Sequence, residues 1–86
     1  MTPAEIEALI VAHLPGATVR VTSTDNVHFE AVVVCEAFAG KRPIQRHQLV
    51  YAAIGGRMGG DIHALSMRTL TPVEAARDAT GGAGPR

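Results

Sequence analysis

The residues best suited to chemistry in this 86-residue chain are its four histidines and its single cysteine. Neutral imidazoles and thiolates are ligands for transition metals and can also take part in proton transfer. His28 and His63 each stand at or next to the predicted start of a strand, so a sheet could bring both rings to one edge. The two imidazoles could share one metal if both side chains lie on the same face of that sheet.

The other histidines and the cysteine have structural interpretations. Cys35 ends a β-branched run, which favours a small buried hydrophobic residue over a nucleophile. His47 falls on the predicted buried face of a helix, where a packing role is expected. His13 falls in the last turn of another helix, where a positive charge interacts favourably with the helix dipole.

Patterns typical of enzymes are missing from the sequence. It contains no recognisable Ser/His/Asp or Cys/His pairing, phosphate-binding loop or close pair of carboxylates. A domain of this size also offers little concavity for a small-molecule substrate. The sequence therefore predicts a protein that is not an enzyme.

Charge and composition predict one small cytoplasmic domain without a membrane span. Eight basic and eight acidic side chains give a formal net charge of zero, so no overall attraction to nucleic acid or anionic membranes is expected. The longest strictly apolar run, 31–35, is too short to span a bilayer, and the amino terminus lacks a signal-peptide layout. We expect a domain over residues 1–80 and a mobile tail over 81–86.

The first half of the chain predicts a helix followed by a hairpin. Thr2, Pro3 and Glu5 form the start signal of a helix that Pro15 and Gly16 end. Its predicted buried face holds Ile6, Leu9, Ile10 and His13. Alternating residues predict a strand over 17–23, and a β-branched run predicts a more central strand over 28–36.

The second half predicts a helix, a strand and a short helix. Pro43 opens a helix that runs to about Ile54, with His47, Val50, Tyr51, Ile54 and Met58 on its buried face. Alternation predicts a strand over 62–70, and a second capping-box pattern over 71–74 begins a helix that runs to about Ala79. Because a long helical connection joins the second and third strands, we expect these two to be parallel.

Four ordered blocks resemble the BolA family. They are Phe38-Ala39-Gly40-Lys41, the run 46–51 (RHQLVY), Ile62-His63-Ala64-Leu65 and Thr71-Pro72-Val73-Glu74. Within that family, the chain resembles the short IbaG-like bacterial proteins. The resemblance implies an α/β domain (an α+β sandwich) like the type II K-homology fold, in the order αββαβ, with a three-stranded mixed sheet and a short C-terminal helix.

The resemblance also implies a partner and a cofactor. BolA-like proteins associate with monothiol glutaredoxins and share a bridging [2Fe–2S] cluster with the glutaredoxin and glutathione, in iron sensing or cluster trafficking. The ligands it implies here are His63, in the Ile-His-Ala-Leu block, and His28, in the loop after the first strand. Two imidazoles in place of two thiolates would give a Rieske-like centre. No cofactor is expected in the isolated chain.

A second hypothesis is a K-homology-like regulator of stress response or cell morphology that binds DNA. The densest basic patch, Lys41, Arg42 and Arg46, precedes and opens a helix that could lie against phosphates. The sequence departs from the family at two places. Gln48 stands where the middle block often has a second arginine, and Asp25-Asn26-Val27 replaces a glycine-rich loop before His28.

Overall fold

The computed structural model describes residues 2–55 and 64–81 and contains three helices and three strands within them. The elements are α1 (Pro3–His13), β1 (Thr18–Thr22), β2 (His28–Val34), a 3₁₀ turn (Glu36–Phe38), α2 (Pro43–Ile54), β3 (Ala64–Leu70) and α3 (Pro72–Gly81). The predicted α+β order with a short C-terminal helix is confirmed. Helix α3 extends past its predicted end at Ala79, and residues 82–86 of the predicted tail lie outside the described residues.

Both predicted capping boxes are present. The Thr2 backbone N–H donates to Glu5 Oε1 at 2.8 Å, and the Glu5 N–H donates to Thr2 Oγ1 at 3.3 Å. At α3 the Thr71 N–H donates to Glu74 Oε1 at 2.9 Å, and the Glu74 N–H donates to Thr71 Oγ1 at 3.1 Å. These bonds satisfy amide groups that a helix leaves without partners at its start.

The sheet is mixed, with β2 in the middle as predicted. Strand β1 pairs antiparallel with β2 from Thr18↔Val34 to Thr22↔Glu30, which forms the predicted hairpin. Strand β3 pairs parallel with β2 from His28↔Ala64 to Val34↔Leu70. The parallel pairing confirms the crossover expected from the long helical connection.

The core lies on one face of this sheet, under α1 and α2. In β2 the alternate residues Phe29, Ala31 and Val33 are buried, while His28 and Glu30 point to the other face and are exposed. Cys35 is 5% exposed, which confirms its predicted burial. On the free edge of β1, Glu7 Oε2 accepts a hydrogen bond of 2.8 Å from the Val21 N–H and so satisfies a donor that an edge strand leaves open. The remaining buried apolar residues are Ile6, Ile10, Leu14, Val21, Phe38, Val50, Ala53 and Ile54.

The buried face of α2 differs from the predicted one. Tyr51 is 40% exposed, His47 is only half-buried, and Ala53 joins Val50 and Ile54 in the core. The helix is turned so that Arg46, which is not on the predicted buried face, reaches β3 and α3. Met58, the last member of the predicted face, lies outside the described residues.

The end of β2 was also predicted too late in the chain. The strand ends at Val34 rather than Glu36, and the chain bends through the 3₁₀ turn. This bend buries the Phe38 ring completely. In the first helix, His13 is exposed and Leu14 is buried instead, so the apolar face ends one residue beyond the predicted stripe.

None of the helices within 2–55 and 64–81 has the length and apolar character needed to cross a bilayer.

The packing of α1 can be tested with a pair of neighbouring residues. Ile10 is fully buried, whereas Val11 on the same helix is 42% exposed. Ile10→Ala should lower the free energy of unfolding by about 2–5 kcal/mol because it leaves a cavity. Val11→Ala should change it by less than about 0.5 kcal/mol. Equal effects in urea unfolding would contradict this orientation of α1.

Candidate metal centre

The amino-terminal ends of the parallel strands β2 and β3 lie side by side, as the metal hypothesis requires. His28 is the first residue of β2 and pairs with Ala64, the first residue of β3. His63 precedes Ala64 in the chain and lies outside the described residues, so its proximity to His28 stays a prediction. The described part of the site is therefore the surroundings of His28.

The imidazole of His28 is exposed but held by a specific partner. Its side chain is 72% exposed, and its Nδ1 lies 2.9 Å from Asp25 Oδ2. An ionised carboxylate can only accept hydrogen bonds, so Nδ1 is the donor and Nε2 is left facing away from this contact. Histidines that bind metals are commonly oriented by a carboxylate in this way.

The turn between β1 and β2 fixes the Asp25 carboxylate. Oδ1 accepts from the backbone N–H groups of Val27 at 3.0 Å and His28 at 2.9 Å. Asn26 adopts a left-handed conformation with φ 57°, which asparagine tolerates better than most residues. The Asp25 side chain therefore shapes the turn and contacts the imidazole at the same time.

These contacts lower the pKa of Asp25. The hydrogen bond from the His28 side chain contributes most, followed by those from the backbone amides of His28 and Val27, and together they hold the pKa of the Asp25 carboxyl well below its usual range. The carboxylate is therefore ionised at neutral pH, as the donor assignment for Nδ1 requires.

An open depression of about 310 Å³ lies beside His28 on the sheet surface. It gives groups from another molecule room to approach the ring. Its lining consists of Thr22, Ser23, Thr24, His28, Phe29, Glu30 and Ser66.

The predicted basic patch divides into two parts. Lys41 and Arg42 are exposed at the start of α2. Arg46 has only 12% of its side chain exposed and forms an ion pair with Glu74, through Nη1–Oε1 at 2.7 Å and Nη2–Oε2 at 3.2 Å. Within this patch, the exposed cations that a phosphate could reach are therefore Lys41 and Arg42.

Arg46 also joins three further parts of the fold. Its Nη1 donates to the Thr69 carbonyl on β3 at 3.0 Å, and its Nε donates to the Lys41 carbonyl at 2.9 Å. The guanidinium carbon lies 5.9 Å from the centre of the Phe38 ring, a cation–π distance. The bond to Glu74 raises the pKa of Arg46 and lowers that of Glu74 to about 2.

Among the residues that the structure describes, no three His, Cys, Asp or Glu side chains lie close enough together to hold a metal ion. The described part of the site is thus one imidazole, that of His28, oriented by Asp25.

The family model for BolA-like protein matches residues 5–74, which is most of the chain. The chain belongs to the BolA family. A solved structure of a BolA homologue from Coxiella burnetii is 46% identical, covers 90% of this chain and 99% of its own, and superimposes with a TM-score of 0.76. The recognition from four sequence blocks is thereby confirmed, together with the fold that it implied.

Curated BolA relatives match over a shorter stretch. Human BolA-like protein 1 is 45% identical over 49 residues, which cover 57% of this chain and 36% of the human protein. A Vibrio cholerae protein named DNA-binding transcriptional regulator BolA is 45% identical over 47 residues, 55% of this chain and 44% of that protein. The chain therefore matches less than half of the length of each of these two relatives.

Sequence reasoning missed two carboxylates of this BolA domain. Asp25 was recognised only as a turn residue, although an aspartate shortly before a histidine in a tight turn can reach the ring. Glu74 was recognised as the end of a capping box but not as the partner of Arg46. No local signal could reveal that second role, because Arg46 and Glu74 are joined only by the tertiary fold.

The ion pair between Arg46 and Glu74 should make stability depend on pH. Since the pKa of Glu74 falls from 4.5 to about 2 on folding, its contribution is complete above pH 4.5 and is lost as the pH falls toward 2. Glu74→Gln retains a side chain suited to the capping box but removes the charge. We expect the melting temperature of this variant to be several degrees below that of the wild type near neutral pH. This gap in melting temperature should close as the pH falls toward 2.

Thermal unfolding followed by circular dichroism across this pH range measures the gap. Glu30→Gln, which removes an exposed carboxylate from the open face of the sheet, is the matched control. A gap for Glu74→Gln that stays constant down to pH 2 would show that the ion pair adds no stability.

Proposed function

We propose that this BolA-family protein is a non-enzymatic adaptor that binds a monothiol glutaredoxin and co-ligates a bridging [2Fe–2S] cluster in iron sensing or cluster trafficking. The observation that carries the proposal is the exposed His28 imidazole, held at the start of β2 by Asp25. Membership of the BolA family supports the same assignment.

The surroundings of His28 fit an imidazole ligand of such a cluster. Nδ1 is occupied by Asp25, so Nε2 is the nitrogen that can bind iron. The ring is 72% exposed, which leaves room for a partner protein to bring its own ligands. When bound, a cluster with two imidazole ligands would carry less negative charge and have a higher reduction potential than one with four thiolates.

His63 is the second proposed ligand. It stands in the Ile-His-Ala-Leu block, immediately before Ala64, and Ala64 pairs with His28 across the parallel strands. In this proposal the glutaredoxin and glutathione supply the thiolates on the other side of the cluster, and the chain contributes two neutral imidazoles.

The proposal predicts a distinct spectrum for the mixed complex. The purified protein, a monothiol glutaredoxin, glutathione, iron and sulfide should together give a visible circular dichroism spectrum that differs from that of the glutaredoxin alone. His63→Ala and His28→Ala should each abolish or strongly change that spectrum, because each removes an imidazole ligand.

His13→Ala is the control, since His13 is an exposed histidine on α1 outside the proposed site. It should leave the spectrum of the mixed complex unchanged. A wild-type mixture that gives only the spectrum of the glutaredoxin would refute the adaptor function, and an unchanged spectrum in His63→Ala would refute that ligand.

A second candidate function is DNA binding. It is favoured by the name of the Vibrio cholerae relative and by the exposure of Lys41 and Arg42 at the start of α2. The positive end of a helix dipole and two exposed cations suit a phosphate backbone. The two functions use different residues and can be separated by mutation.

Charge reversal tests this second function. The double variant Lys41→Glu and Arg42→Glu should weaken binding to a DNA duplex and reduce its salt dependence by about one unit of slope for each phosphate that the protein no longer neutralises. Arg20→Glu, on the exposed face of β1, is the matched control. Fluorescence anisotropy at several salt concentrations measures both quantities, and equal weakening in the two variants would contradict a specific role for Lys41 and Arg42.

A further inference from the structure

Asp25 uses its two carboxylate oxygens for different purposes. Oδ1 accepts from the backbone amides of Val27 and His28 at 3.0 and 2.9 Å. Oδ2 lies 2.9 Å from Nδ1 of the His28 ring. Oδ1 therefore stabilises the turn, and Oδ2 determines which nitrogen of the imidazole carries the proton.

The contact with Oδ2 determines which ring nitrogen carries the proton. A neutral imidazole has one N–H donor and one acceptor nitrogen. In water the unconstrained ring prefers to carry its proton on Nε2, which would block that nitrogen as a ligand. A carboxylate facing Nδ1 can only accept, so it favours the opposite tautomer and leaves the lone pair of Nε2 free.

Hydrogen bonds between the Ser23 side chain and the backbone hold Asp25 and His28 in place although both side chains are exposed. The His28 carbonyl accepts from Ser23 Oγ at 2.6 Å, and the Asn26 N–H donates to the same hydroxyl at 2.9 Å. The turn thus fixes the main chain on both sides of Asp25 and at His28. A side chain that is 72% exposed would otherwise sample several rotamers.

We propose that Asp25 is a positioning residue that keeps neutral His28 in the Nδ1–H tautomer, with Nε2 presented as the ligating nitrogen. The tautomer is a property of the isolated chain. Its use at a [2Fe–2S] cluster rests on the proposed function. Carboxylate partners of this kind orient metal-binding histidines, and their removal commonly weakens metal binding about 10–100-fold.

Asp25→Asn tests the proposal with little change in shape. The backbone amides of Val27 and His28 need an acceptor, so the amide oxygen of the new side chain should take the place of Oδ1. Its NH₂ group then faces Nδ1 of His28 as a donor. We expect Nδ1 to become the acceptor and the ring proton to move to Nε2.

Long-range ¹H–¹⁵N correlation spectra of the His28 ring read the tautomer directly in the isolated protein. The wild type should show a protonated Nδ1, and Asp25→Asn a protonated Nε2. Asn26→Gly is the control, because glycine readily adopts the left-handed conformation of that neighbouring residue, and it should retain the wild-type tautomer. A protonated Nε2 in the wild type, or the same tautomer in wild type and Asp25→Asn, would overturn the proposal.

The mixed cluster with a monothiol glutaredoxin provides the second measurement. Asp25→Asn should shift its visible circular dichroism toward that of His28→Ala. If Asp25→Asn reverses the tautomer of His28 but leaves the cluster spectrum as in the wild type, the role of Asp25 in positioning His28 for ligation would be overturned. Failure of the wild type to form a mixed cluster would instead refute the proposed function, and the ring spectra would still decide whether Asp25 sets the tautomer.

Discussion

The guanidinium of Arg46 joins parts of the chain that no local interaction could hold together. It links the first turn of α2 to Glu74 at the start of α3, to the Thr69 carbonyl on β3 and to the Lys41 carbonyl before α2. Its central carbon lies 5.9 Å from the centre of the buried Phe38 ring. Because a largely buried cation needs several acceptors, these contacts hold the starts of α2 and α3 against the carboxyl end of β3.

The proposed ligand site lies at the opposite ends of the same two strands. His28 and Ala64 begin the parallel pair, while Val34 and Leu70 end it. The carboxyl ends carry the interactions that stabilise the fold, including the Cys35 N–H donating to the Leu70 carbonyl at 2.9 Å. The amino ends carry an exposed imidazole. The ligand site proposed at the amino ends is therefore separate from the hydrogen bonds described at the carboxyl ends.

The carboxylates of Asp25 and Glu74 have similar roles at the two ends of the β2–β3 pair. Asp25 accepts backbone amides with one oxygen and contacts the His28 ring with the other. Glu74 closes the cap of α3 and pairs with Arg46. In both cases the backbone bonds limit the motion of the carboxylate, so the second contact is made by a group that is already oriented. Orientation by the main chain reduces the entropy that an exposed side chain would lose in such a contact.

The sequence by itself determined the order of the elements, both capping boxes, the parallel crossover and the family, because these depend on short-range patterns and ordered motifs. Its predictions failed where a residue has two opposing tendencies. His13, placed on the predicted buried face of α1, is exposed, and Arg46, left off the predicted buried face of α2, has only 12% of its side chain exposed. Only the tertiary structure decided these positions and the pairing of Arg46 with Glu74, because they depend on how the helices pack against the sheet and on groups far apart in the sequence.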